Sequence, residues 1–364
     1  MPSCSADLLE TATCGTATVP NIHLRPLQVT WEITQACEWK ISPWRMARMI
    51  PDKEELSTAE AFYLIQEIVA MHVPLLAITG GDPLLRRDLL PVVQFASERS
   101  VRTSLSLIPT SLLTAEVIQE LKASDLMRVI LWLHGSTAPL HDAYTGVRGT
   151  YRRTLEIIGS CHEAGLPVQI NTAIAARNLH DVDPMIELLT RLDVALWNVF
   201  FLVPKGVDQS AELPTAQQHE DIFARLYDAS QSTQFPIKTT EGQHYQRYVL
   251  QQRSRDSRRS SGSLEMSTKT LKGVNDSRGF VFVNYRGDVY PSRFLPLSAG
   301  NVTTQPLSSI FRKSALFQSL RDTSKLKGKC GQCSFRKVCG GSRARAYAMT
   351  GDLFAEDPCC SYQP

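Results

Sequence analysis

The sequence predicts an α/β fold, with a parallel sheet flanked by helices and a small cysteine-bearing domain at the C-terminus. Two observations carry this expectation. From residue 27 onward, six β-rich runs alternate with amphipathic stretches, and five of the nine cysteines fall in the last 35 residues. Strands joined through helices need crossover connections and therefore run parallel, as a doubly wound sheet or a partial barrel.

The strand candidates, in order, are Gln28–Ile33, Leu75–Thr79, Arg102–Leu107, Arg128–Leu133, Pro167–Ala173 and Leu196–Val203. Between them lie the helical stretches Ala59–His72, Leu89–Glu98, Tyr151–Ala164 and Pro184–Leu192. Ser57 and Glu60 form a capping box for the first helix, and Gly165 closes the helix that begins near Tyr151. Past Phe235 the pattern changes. Pro236–Thr240 reads as a strand, followed by a helix through His244 and Tyr248. Arg253–Lys272, rich in Ser, Arg and Lys, reads as a mobile connector. Residues 280–290 read as a hairpin around Tyr285-Arg286-Gly287. The expected organisation is an N-terminal extension (1–24), a barrel (25–235), a connector (236–279) and a cysteine-bearing domain (280–364).

Composition narrows the class. Hydrophobic residues make up 43% and charged residues 21% of 364 positions, as in soluble globular proteins. No run of eighteen apolar residues offers a membrane span. The first twenty residues lack the basic start and apolar core of a secretory signal, so a cytoplasmic location is expected. A net charge of +3 gives no case for nucleic acid. In such a setting, clustered cysteines bind metal more often than they form disulfides. Cys330-Gly-Gln-Cys333, then Cys339 and Cys360, supply four thiolates. Spacing alone suits a 4Fe–4S cluster or a zinc ion equally.

The segment from Cys330 to Cys360, with Gly340-Gly341 and the Arg-Ala-Arg-Ala-Tyr run at 343–347, resembles the SPASM domain of radical S-adenosylmethionine (SAM) maturases. The subgroup it is most similar to surrounds the anaerobic haem-biosynthesis enzymes and the mycofactocin maturase. The resemblance implies a partial (β/α)6 barrel of radical SAM type. It also implies one auxiliary 4Fe–4S cluster on Cys330, Cys333, Cys339 and Cys360, with Cys359 a bystander. A second auxiliary cluster would need cysteines where Ser292 and Arg343 stand.

Other family positions depart from the pattern. The loop after the first strand should read C-x3-C-x2-C and leave one iron open to SAM. Here it reads Cys37, Ile41 and Trp44, and one thiolate does not hold such a cluster. Gly80-Gly81-Asp82-Pro83 resembles the GGE-P turn that binds the SAM amino group, with Asp82 as carboxylate partner for an ammonium. Where relatives carry Ser-Leu-Asp-Gly, this chain has Trp132-Leu-His134-Gly135. Asn171 and Asn198 match polar positions lining relatives' cavities.

All these positions belong at the C-terminal ends of strands, where barrel enzymes place their chemistry. Ile41, Trp44, Trp132 and His134 are thus expected to face inward together beside Gly80–Pro83, as a cavity refitted for something flat or apolar. The sharper expectations are His134 or Cys37 as a haem-iron ligand, and His244, Tyr245 and Arg247 facing substrate. The basic loop would steer an anionic tetrapyrrole. No catalytic residue is assigned. Three functions stay open: a non-radical enzyme on a tetrapyrrole or peptide-derived substrate that still binds SAM, a haem or tetrapyrrole binder, and a silent partner of a paralogous radical SAM enzyme or reductase.

Overall fold

The computed structural model describes residues 24–39, 51–205, 207–259 and 279–364. Seven parallel strands follow one another in chain order: β1 (Gln28–Glu32), β2 (Leu75–Thr79), β3 (Arg102–Ser106), β4 (Arg128–Trp132), β5 (Val168–Ile174), β6 (Leu196–Phe201) and β7 (Ile237–Thr240). On the other side of β1 lies β8 (Phe280–Val283), also parallel, then β9 (Asp288–Tyr290) and β10 (Gly300–Asn301), both antiparallel. Strands β1 to β7 fall on the seven strand candidates and β8 with β9 on the expected hairpin, and the barrel is the partial α/β barrel that the sequence predicts.

The helices are α1 (Thr58–Ala70), α2 (Leu89–Ser97), α3 (Ala115–Ala123), α4 (Ala138–Thr145), α5 (Thr150–Glu163), α6 (Val182–Arg191), α7 (Ala216–Ser232) and α8 (His244–Arg259). Four short ones, α9 (Leu307–Lys313), α10 (Ala315–Arg321), α11 (Gly328–Gln332) and α12 (Arg343–Thr350), complete the C-terminal part. The Ser57–Glu60 capping box forms at α1, and Gly165 takes the left-handed conformation (φ 63°) just past α5. The core lies between the sheet and the outer helices, where Leu64, Ile68, Val93, Ile118, Ile157 and Leu189 meet Val29, Trp31, Leu76 and Trp197.

Three features differ from the sequence reading. Helices α3, α4 and α7 fall outside the four helical stretches named from the sequence, although Thr215 and Gln218 form a capping box at α7. Helix α8 continues to Arg259, so the first part of the expected connector is helical, and the rest of it lies outside the described residues. The 280–290 hairpin forms, but its first strand joins the barrel sheet through β1. The two parts of the chain therefore share one sheet. Among the described residues, no helix is long and apolar enough to cross a membrane.

Candidate functional site

Strand alternation decides what the barrel encloses. Along β4, Arg128, Ile130 and Trp132 share the inner face, while Val129 and Leu131 turn to the helices and are fully buried. The inner faces enclose two adjoining cavities. One, of about 160 Å3, sits at the C-terminal mouth among Trp39, Gly80, Gly81, Leu107, His134 and Phe201. The other, of about 220 Å3, fills the lumen among Thr30, Arg128, Asn171, Asn198, Lys238 and Gln243. Trp132, Phe200 and Phe294 line both, together with Thr79, Ser106 and Arg293, and form a largely aromatic septum. Trp132 and Phe200 stand 4.8 Å apart, centroid to centroid.

The Gly-Gly turn after β2 is held against the loop after β1. Gly81 N–H donates to Thr34 O at 2.8 Å, and Asp82 N–H donates to Ala36 O at 2.6 Å. A Cβ at Gly81 would stand 1.8 Å from Ala36 O, so only glycine fits. Gly80 and Gly81 reach the mouth cavity; Asp82 and Pro83 line neither cavity. The Asp82 carboxylate is wholly buried, accepting from Leu84 N–H at 3.1 Å and Thr110 Oγ1 at 2.8 Å. Desolvation raises its pKa. It caps the turn, and the expectation that it faces an ammonium in the cavity is corrected accordingly.

His134 and Trp132 lie at the mouth as expected, stacked at 5.4 Å. His134 also stacks on Tyr144 at 4.0 Å. Sequence reasoning missed His141, on α4, which lines the same cavity and is fully buried. Its Nδ1 accepts from the His134 backbone N–H at 3.0 Å, and Nδ1 of His134 accepts from Ala173 N–H at 3.3 Å. Burial pushes the His141 pKa down to about 4 and that of His134 well below its usual value. Both rings are therefore neutral, and with Nδ1 accepting, the proton sits on Nε2. Among the described residues, Nε2 of His141 has no partner. The pair thus offers N–H donors to a ligand acceptor. An iron-bound histidine needs a bare Nε2 and commonly donates through Nδ1. The arrangement at His134 is the reverse, which counts against its expected role as an axial ligand.

Ile41 and Trp44 lie outside the described residues. Cys37 is fully buried, with its thiol donating to Trp39 O at 3.2 Å, and it lines neither cavity. No second thiol stands in that loop among the described residues. Asn171 and Asn198 face the lumen rather than the mouth. His244 is buried against His219 and Phe223, 4.0 Å from the Asp357 carboxylate, and away from both cavities. Tyr245 is a core residue beside it.

Cys330, Cys333, Cys339 and Cys360 line one small cavity, about 20 Å3, together with Arg247, Lys329 and Arg336. Gly341 N–H donates to Cys339 Sγ at 3.3 Å, and Asp357 N–H to Cys330 Sγ at 3.4 Å. Consecutive left-handed glycines, Gly340 (φ 70°) and Gly341 (φ 67°), let the backbone pass beside the sulfurs. Cys359 points elsewhere, its thiol 3.8 Å from Pro214 O. The thiols, backbone donors and cations suit an anionic metal–sulfur group. Among the described residues, no three His, Cys, Asp or Glu side chains converge on a single-ion site. Ser292 and Arg343 have structural partners: Ser292 donates to Glu241, and Arg343 donates to the carbonyls of Leu353 and Ala355.

A partial α/β barrel with a glycine turn at its mouth and a cysteine centre beyond it defines the class of protein. The chain matches the Radical SAM superfamily over residues 34–189 and the SPASM iron–sulfur cluster-binding domain over residues 276–334. It is 35% identical to the AdoMet-dependent heme synthase of Methanosarcina barkeri strain Fusaro, covering 93% of this chain and 97% of that one. Identity is 36% to the AdoMet-dependent heme synthase of Nitratidesulfovibrio vulgaris strain Hildenborough, over 92% of each chain. Streptococcus suis SuiB bound to precursor peptide SuiA shares the fold, with a TM-score of 0.72 at 14% identity over 93% of this chain and 76% of that one. The chain belongs to the radical SAM superfamily and carries a SPASM domain. Membership implies iron–sulfur and SAM binding.

Proposed function

We propose that this chain acts on or holds a tetrapyrrole without cleaving SAM reductively, and that it carries one 4Fe–4S cluster on Cys330, Cys333, Cys339 and Cys360. The observation that carries this reading is the loop after β1, where Cys37 is followed by Ile41 and Trp44 in place of the second and third thiols. Three thiolates leave one iron of a cluster open; isoleucine and tryptophan offer iron no ligand. The tetrapyrrole half draws support from relatives named heme synthases that align along nearly the whole chain. A septum of Trp132, Phe200 and Phe294 suits a flat apolar body.

For the C-terminal centre, four thiols line one cavity, and the match to the SPASM iron–sulfur cluster-binding domain favours a cluster over zinc. When bound, such a cluster supplies one-electron transfer or structural bracing. The residues' own work is to hold it: Gly341 and Asp357 donate to sulfur, and Arg247, Lys329 and Arg336 offset its negative charge. At the mouth, the Gly80–Gly81 backbone and the Nε2 donors of His134 and His141 would hold SAM or another acceptor-rich ligand.

Anaerobic purification followed by absorption spectroscopy and iron and sulfide analysis tests the reading. About four irons and four sulfides per chain are expected. Cys333→Ala should lose the cluster, whereas Cys359→Ala should keep it. Stoichiometric zinc without iron would replace the cluster with a zinc knuckle.

A further inference from the structure

Two fully buried histidines beside the cysteine centre carry ring nitrogens that the fold does not use. His219, on α7, donates through Nδ1 to Thr215 O at 2.9 Å, which leaves its Nε2 a bare acceptor. His244, at the start of α8, lies 5.1 Å away, ring to ring. Among the described residues, His219 Nε2 and both ring nitrogens of His244 are buried without a hydrogen-bond partner. Unpaired buried polar atoms cost stability, and a folded chain that keeps them does so for a reason.

Among the described residues, the charges facing this pair are already matched. Asp357, in the cysteine segment, has Oδ2 4.0 Å from His244 Nδ1 but is ion-paired with Arg345 of α12. Arg247, one turn along α8, is paired with Glu220 of α7. Burial pushes the Cys359 thiol up to about 11, so it is uncharged near neutral pH. Phe201 and Phe223 pack against the two imidazoles. Burial lowers both histidine pKa values, that of His219 to about 4 and that of His244 well below its usual value. The rings are therefore neutral bases in a charge-balanced setting.

Two links join them to the cysteine centre. The Asp357 amide donates to Cys330 Sγ at 3.4 Å, and Arg247 lines the cavity that the four thiols share. An electron placed on that centre adds a negative charge away from water, and a proton on a neutral base nearby cancels it. His244 is the better placed base, because neither of its nitrogens is committed and the Asp357 carboxylate stands beside Nδ1.

We propose that His244 is a redox-linked proton site, which takes one proton from solvent when the cysteine centre accepts one electron and releases it on reoxidation. The electron comes from a one-electron reductant, and the proton joins a bare ring nitrogen, so charge balances. The proposal rests on the cluster reading of the four thiols.

The test is a mediated electrochemical titration of the anaerobically reconstituted full chain between pH 5 and 8, followed by cluster absorbance. Proton uptake favours the reduced form at low pH, so the midpoint potential should rise as pH falls. At its steepest the rise should approach tenfold in the reduction equilibrium per pH unit, about 59 mV for one electron. His244→Gln should hold the same iron and sulfide and show a flat profile, whereas His219→Gln should keep the rise. Infrared difference spectra of wild type labelled with 15N-histidine should show imidazole becoming imidazolium on reduction, a readout that needs no variant. A rise that survives in His244→Gln, or is lost in His219→Gln, overturns the assignment, as does an infrared difference without imidazolium. A flat wild-type potential with four irons bound overturns the proton site and leaves the cluster reading standing. Zinc in place of iron removes both.

Discussion

Gly81 is the residue on which the mouth of the barrel is built. Its amide bonds to Thr34, the next amide bonds to Ala36, and the missing side chain lets two loops pass at backbone contact. Gly81→Ala would drive a methyl into the Ala36 carbonyl, which cannot yield as a flexible side chain would. A loss of about 3 kcal/mol is expected, at the upper end of ordinary overpacking, read as a lower denaturant midpoint. Gly80-Gly81 was visible in the sequence because glycine after a strand signals a close approach. The role of Asp82 was not, because a carboxylate looks the same in sequence whether it caps a turn or faces a ligand. His141 was missed for a related reason: its importance comes from a bond to the backbone of His134, which no spacing rule announces.

At the scale of elements, four histidines at or beside the barrel, His134, His141, His219 and His244, are buried and held neutral. Burial lowers the His141 and His219 pKa values to about 4, against about 6.5 unfolded. The unfolded chain thus binds protons first, so stability is intact above pH 6.5 and falls as pH drops toward 4. Each shift corresponds to about 3 kcal/mol over that window. His141→Asn keeps an acceptor for the His134 amide and should flatten the pH dependence of denaturant midpoints between pH 6.5 and 4. An unchanged slope would contradict neutral burial of this ring.

The strands themselves were legible because hydrophobic runs between turn signals fix them. Which polar residues face inward follows from alternation: Arg128 shares a face with Trp132 as surely as Ile130 does. That step finds the charged lumen from the strand assignments alone. Helix α7 escaped notice although its capping box, Thr215 and Gln218, is local. The pairing of β8 with β1 could not be read, because contacts so distant in sequence leave no local trace.

At the scale of the whole molecule, one buried ion pair ties the cysteine centre to the barrel. Arg345 Nε and Nη2 donate to the two Asp357 oxygens at 3.0 and 2.9 Å, and Nη1 donates to Leu202 O and Glu241 O, just past β6 and β7. Complete burial would raise the Asp357 pKa, but Arg345 holds it far below the carboxylate range. Asp357 also donates its amide to Cys330 Sγ and accepts from the Ser342 and Cys359 amides. Asp357→Asn leaves a buried guanidinium without its counter-charge and should destabilise the chain by about 3–5 kcal/mol, with cluster loss at lower denaturant than in the wild type. The shared sheet and this pair make the two parts one unit, so loosening the centre should be felt at the barrel mouth.

The central claim is that a radical SAM fold persists here without the three-thiolate site that starts radical chemistry. Anaerobic incubation of the cluster-reconstituted chain with SAM and dithionite, followed by quantification of 5′-deoxyadenosine, tests it most directly. The account predicts no product above a protein-free control, whatever the iron content. Formation of 5′-deoxyadenosine at or above one equivalent per chain, retained in the Cys333→Ala variant, would contradict it and place a reactive cluster at the barrel mouth.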